Sequence, residues 1–107
     1  MGAKISFTDM TNVQLQAHIR RLAQDSGRVF FTQHVQVRML QRSVSDAQVL
    51  ECLRSGLIQR PAQIAAASGA VKCRMEHFGS ARNLVVVVGL ADDDPDLLVV
   101  TVMTRTR

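Results

Sequence analysis

His34, Arg38 and Arg42 recur at four-residue intervals in the segment QHVQVRMLQR. Each helical residue turns about 100°, so the three fall within an arc of roughly 80°, with Gln41 at its border. Val35, Val37, Met39 and Leu40 fill the rest of the surface. The stripe is therefore expected to be the one polar strip of an otherwise buried helix. Two guanidiniums can hold phosphate oxygens in bidentate fashion. An imidazole that titrates near neutrality can take or give a proton. The same spacing also has a structural use. Arginines four apart line a solvated face or pair with acids such as Asp46 and Glu51, and the strip can lock two helices onto a sheet.

A second cationic cluster lies in the later strands. Lys72, Arg74 and Arg82 can share one sheet face, and Arg105 and Arg107 follow in the tail. If that face turns toward the histidine-arginine strip, a cationic groove results; otherwise these are solubilising edge charges. Of the other histidines, His18 reads as a core or boundary residue and His77 as a turn residue beside Phe78 and Gly79. A metal site of His34, Cys73 and His77 lacks ligand spacing and is rejected. There is no glycine-rich phosphate loop, no G-x-S-x-G and no carboxylate pair, and no cofactor is expected. The cluster Asp92, Asp93, Asp94 and Asp96 reads as a turn.

The elements that must position these residues are legible from caps and periodicity. Thr11 to about Ser26 reads as a helix, opened by a Thr11/Gln14 capping box and stopped by Gly27. Leu15, His18, Ile19, Leu22 and Ala23 form its buried stripe, with Gln16, Arg20 and Gln24 solvated opposite. RVFFT is a short strand, and Thr32 then caps a helix over about Gln33 to Arg42. Ser45 and Gln48 open a third helix, Asp46 to Ser55, with a stripe of Val49, Leu50, Leu53 and Leu57 and a stop at Gly56. Pro61 breaks the region that follows. Ala70 to Phe78 alternates as a half-buried strand with Lys72 and Arg74 on its polar face. LVVVV and LLVVTVMT are continuous apolar runs, which read as strands covered on both faces. One helical layer covers one face only, so the first helix or a second copy of the chain is expected on the other.

Composition bounds the rest. A chain of 107 residues supports one domain, of which residues 1–27 read as an added N-terminal helix and 28–107 as the core. The four phenylalanines are its only aromatic residues, which argues against single-strand binding by base stacking. Net charge is +4; setting aside the four turn acids leaves thirteen basic residues against five acids, or +8. That field favours RNA or an acidic protein partner. Cys52 and Cys73 have no pairing or zinc spacing and read as small core residues. No signal peptide or membrane-spanning run is apparent, so the cytoplasm is the expected location.

The segment FTQHVQVRMLQRSVSDAQVLECLRSG, residues 31–56, resembles the core motif of a bacterial family known only as domain of unknown function 4258. The motif H-x-x-x-R-M-x-x-R, followed by V-x-x-x-L-x-x-G, falls on His34, Arg38, Met39, Arg42, Val49, Leu53 and Gly56. The later KCR step and closing VVTV also resemble that family's strands. Beyond the added N-terminal helix, which lies outside it, the resemblance implies an α+β fold: a short strand and a two-helix hairpin on a small antiparallel sheet that ends in a three-stranded meander. Such a fold is similar to RelE-type and BrnT-type toxins; in RelE-type proteins the sheet binds RNA and basic side chains assist cleavage. On that resemblance His34, Arg38 and Arg42 are the catalytic candidates, and Arg38, Arg42, Lys72, Arg74 and Arg82 the nucleic-acid-binding ones. A non-enzymatic protein-interaction or homodimerisation module is the alternative.

Overall fold

A computed structural model describes residues 6–65, 69–78 and 83–106, with side chains described as far as Thr104. In chain order the elements are α1 (Asn12–Leu22), β1 (Val29–Phe31), α2 (Gln33–Arg42), α3 (Asp46–Ser55), β2 (Leu57–Ile58), β3 (Gln63–Ile64), β4 (Val71–Phe78), β5 (Asn83–Ala91) and β6 (Asp94–Thr106). This is an α+β architecture.

Each helix starts on a side-chain oxygen. Thr11 and Gln14 form the expected capping box on α1, and Ser45 and Gln48 the one on α3. The Thr32 hydroxyl accepts from the Val35 amide to open α2. α1 ends at Leu22, before the expected Ser26, so Gly27 is not its stop. Asp25 accepts from the Gly27 amide and opens a separate 3-10 turn, Ser26–Arg28.

The sheet is mixed, in the order β1-β6-β5-β4-β2, with β3 also paired to β4. β4, β5 and β6 form the expected antiparallel meander, but β1 lies parallel to β6. A hairpin forces antiparallel neighbours; none joins β1 to β6, so its direction is free. The hairpin between β5 and β6 turns on Asp92 and Asp93, and β6 begins at Asp94, inside the stretch expected to be loop.

Burial follows strand alternation. Val71, Cys73 and Met75 of β4, Val86 and Val88 of β5, and Leu98 and Val100 of β6 face the helices. A bulge at Thr101 inserts one residue, so Val100 and Met103, three apart, both reach this core. All three helices contribute to the same cluster, α1 through Leu15, Ile19 and Leu22, α2 through Val35 and Met39, α3 through Val49 and Leu53. Of the two covers expected for the second face, the first helix is therefore not one, because α1 packs on the same side as α2 and α3. Among the described residues the second face carries no helix, and Phe30 (56%) and Val102 (47%) stand exposed on it.

α1 is tied to α3 by Arg20, expected to be solvated, and by Arg54. Arg20 donates through Nε and Nη2 to the Gly56 carbonyl, at 3.1 and 2.7 Å, and through Nη2 to that of Ser55. In return Arg54 Nε donates to the Ala23 carbonyl at 2.6 Å. Each helix thus caps the carbonyl end of the other, where a cation also suits the helix dipole. The Gln16 side-chain oxygen accepts from the Ile58 amide at 2.8 Å and anchors β2. His18 is buried as expected: Nε2 donates to the Pro95 carbonyl at 2.8 Å, and Nδ1 accepts from Arg21 at 3.0 Å.

Both cysteines are fully buried core residues. Burial pushes the Cys52 thiol up from 9.0 to about 12, and that of Cys73 to about 11. Both should resist iodoacetamide in the native protein and react once it is unfolded. The folded-state values lie above the unfolded ones. Their contribution to stability is therefore complete below pH 9.0 and is lost as pH rises toward about 11 to 12. Denaturation midpoints across that window should fall less steeply in a Cys52→Ala/Cys73→Ala chain; an equal slope would contradict this.

Candidate nucleic-acid interface

α2 touches the core along one seam only. Val35 and Met39 are buried, whereas Val37 (47%) and Leu40 (83%) are exposed, so the helix is not the largely buried one expected. The reason is topological: α2 packs on β6 near the sheet edge, and among the described residues no further helix covers its outer side. Its surface divides into three parts. The buried seam is flanked on one side by His34, Arg38 and Arg42, all exposed. On the other flank Gln36, Met39 and Leu40 join Phe31, Val44, Ser45 and Asp46 around an open groove of about 440 Å³.

His34 and Arg38 make no hydrogen bond or ion pair among the described residues. The expected partners are engaged elsewhere or absent: Glu51 lies 3.8 Å from His77 Nε2, and no ion pair links Arg38 to Asp46. Arg42 interacts within the fold. His34 sits in the first turn of α2, where the Gln33 and His34 amides point out of the helix start and add positive potential.

Lys72 and Arg74 do not meet this strip. They alternate with Val71, Cys73 and Met75, which face the helices, so they lie on the opposite sheet face from α2. The single cationic groove, conditional on that meeting, does not form from these residues. Arg74 is also partly engaged: its Nε is 3.8 Å from the Glu76 carboxylate, is shielded from solvent, and has no hydrogen-bond partner among the described residues. Glu76, next after Arg74 on the same alternating face of β4, is only 9% exposed. Arg82 lies outside the described residues, as do the side chains of Arg105 and Arg107. His77 is within β4, opposite Leu84, not in a turn.

A feature that periodicity did not reveal lies on the open face. Lys72, Gly89, Val99 and Phe30 form one row across four strands. Gly89 floors a depression of about 220 Å³, with Lys72 on one rim and Asp94 on another. Gly89 is not in the left-handed region, and a Cβ there would meet only the Val99 carbonyl oxygen, at 3.9 Å. Neither conformation nor packing within the chain requires glycine there. A lone glycine inside LVVVVGLA was the available signal.

An α+β domain with three side-chain-capped helices on one face of a mixed sheet is the frame for these surfaces. The family described as domain of unknown function DUF4258 matches residues 31–104, and the chain belongs to it. Neither curated proteins nor solved structures yield a match. Residues 6–30, which include α1, lie outside the matched span. Among the described residues no helix is long and apolar enough to cross a membrane.

Proposed function

We propose that this protein is an RNA-binding, toxin-like module whose contact surface is the His34–Arg38–Arg42 flank of α2. One observation carries the reading: His34 and Arg38 are exposed and have no partner among the described residues, so nothing in the described fold uses them. A phosphate track along this flank would meet two guanidiniums and the positive start of the helix. With ribose present, His34 can withdraw the 2′-hydroxyl proton. The oxygen then attacks the adjacent phosphorus, a cyclic phosphate forms, and the 5′-oxygen departs and takes a proton from water. Arg38 and Arg42 would neutralise the phosphoryl oxygens. Lys72 and Arg74, across the sheet, are not required.

The test is binding of a labelled short single-stranded RNA by fluorescence anisotropy at low salt. Arg38→Glu should weaken binding roughly tenfold and reduce the salt slope by about one. His34→Ala should retain most binding and lose any cleavage the parent shows. An Arg38→Glu chain that binds like the parent would remove α2 from consideration.

The second reading is a non-enzymatic interaction module. The observation favouring it is the open sheet face, where Phe30 and Val102 stand exposed beside Val87, Val99 and the Gly89 depression.

A further inference from the structure

We infer that the open sheet face is an isologous interface with a second copy of this chain, in which Lys72 of each protomer meets the partner's Asp94. The inference rests on the interaction-module reading and names the occupant; it is independent of what α2 binds.

The face has the chemistry of a site normally covered. Its centre is apolar, built from Val87, Val99 and Val102, with Phe30 exposed at the β1 edge. The depression over Gly89 is hollow because the one residue type without a side chain stands there, and nothing within the chain needs it to. Glycine at such a place lets another backbone or side chain approach closely.

Charge then selects the occupant. The depression has one cation and one anion on its rim, Lys72 on β4 and Asp94 on β6. Both residues are exposed, and neither has an ion-pair partner among the described residues. A wholly acidic partner would satisfy Lys72 and repel Asp94; an RNA phosphate would do the same. A surface with apolar centre and opposite charges on its two sides is complementary to itself under two-fold rotation. β5 lies between β4 and β6, so a two-fold axis along β5 carries Lys72 over to β6 and Asp94 over to β4. Gly89 then faces its own copy, with no side chain from either to hold the sheets apart. Sheets packed face to face lie about 10 Å apart, within reach of a lysine and an aspartate extended toward each other. Lys72 and the partner's Asp94 form the same pair twice.

The α2 flanks are on the far side of each sheet and remain outward in the dimer.

The experiment is sedimentation velocity of the full chain from low micromolar to sub-millimolar concentration. The parent is expected to dimerise. Lys72→Glu and Asp94→Lys should each weaken dimerisation roughly tenfold or more, because every reversed charge occurs twice in a two-fold interface. Mixing the two variants should restore the dimer, since Glu meets Lys and Asp meets Lys in the mixed pair. Gly89→Glu should give a monomer that still unfolds cooperatively, its Cβ having room. A parent chain monomeric throughout overturns the second-copy assignment and leaves the face to a different protein. A dimer that survives all three variants lies on another surface, which overturns the inference while keeping the module reading. Single variants that weaken but fail to complement on mixing overturn the Lys72–Asp94 pairing.

Discussion

Gly56→Ala is expected to destabilise this protein by about 3 kcal/mol or more, well above the usual cost of a surface substitution. Gly56 ends α3 with φ −74° and ψ 172°, so it is not the left-handed helix stop that glycine usually supplies. Its role is steric. A Cβ there would lie 2.4 Å from the Cys52 carbonyl oxygen and 3.1 Å from that of Glu76. Both obstacles are backbone, one in α3 and the other in the middle of β4, so neither can swing aside. The Gly56 amide is bonded to Cys52 at 2.8 Å, and its carbonyl is held by Arg20, which fixes the residue from both sides. Urea denaturation should show the loss in midpoint. Gly89→Ala, with only a 3.9 Å neighbour, should change little under the same conditions. Equal behaviour of the two variants would contradict this account of the α3 terminus.

Removing residues 1–27 should leave a chain that does not fold, although the family match begins only at residue 31. Leu15, Ile19, Leu22 and Ala23 are buried in the same cluster as Leu53 and Val86, and Phe7 closes it beyond α1. Burial of three such aliphatic side chains stabilises by about 1.5–3 kcal/mol each. Their sum is comparable to the whole stability of a domain of this size, roughly 5–15 kcal/mol. Truncation would also strip the Gly56, Ser55 and Ile58 partners supplied by Arg20 and Gln16. Circular dichroism and exchange of the β4 and β5 amides would check it; a truncated chain with cooperative unfolding would show that α1 is an accessory.

Local chemistry made much of the fold readable. Thr11, Thr32 and Ser45 mark the helix starts because each cap is satisfied within three residues. Alternation in β4 placed Val71, Cys73 and Met75 inside. What failed was long-range. The apolar runs of β5 and β6 say that both faces favour cover, but not whether the cover is a helix of the same chain. Arg20 and Gln16 look solvated on a helical wheel, and only the neighbouring end of α3 and β2 gives them partners. The parallel β1 depends on a pairing across 69 positions of chain, which no local pattern encodes. For the site, the sequence placed His34, Arg38 and Arg42 on one stripe, and the helix has that geometry. It could not say that Val37 and Leu40 of α2 are exposed, or that Lys72 and Arg74 face the other way.

The central claim is that α2 presents a cationic flank to RNA, on which His34 and Arg38 have no partner among the described residues. It is tested most directly by recording amide shifts of the isotope-labelled full chain during titration with a short RNA at low salt. The account predicts shifts concentrated on residues 33–42, with Lys72 and Arg74 changing little. Shifts confined to β4 and β5, or none at all, would contradict it.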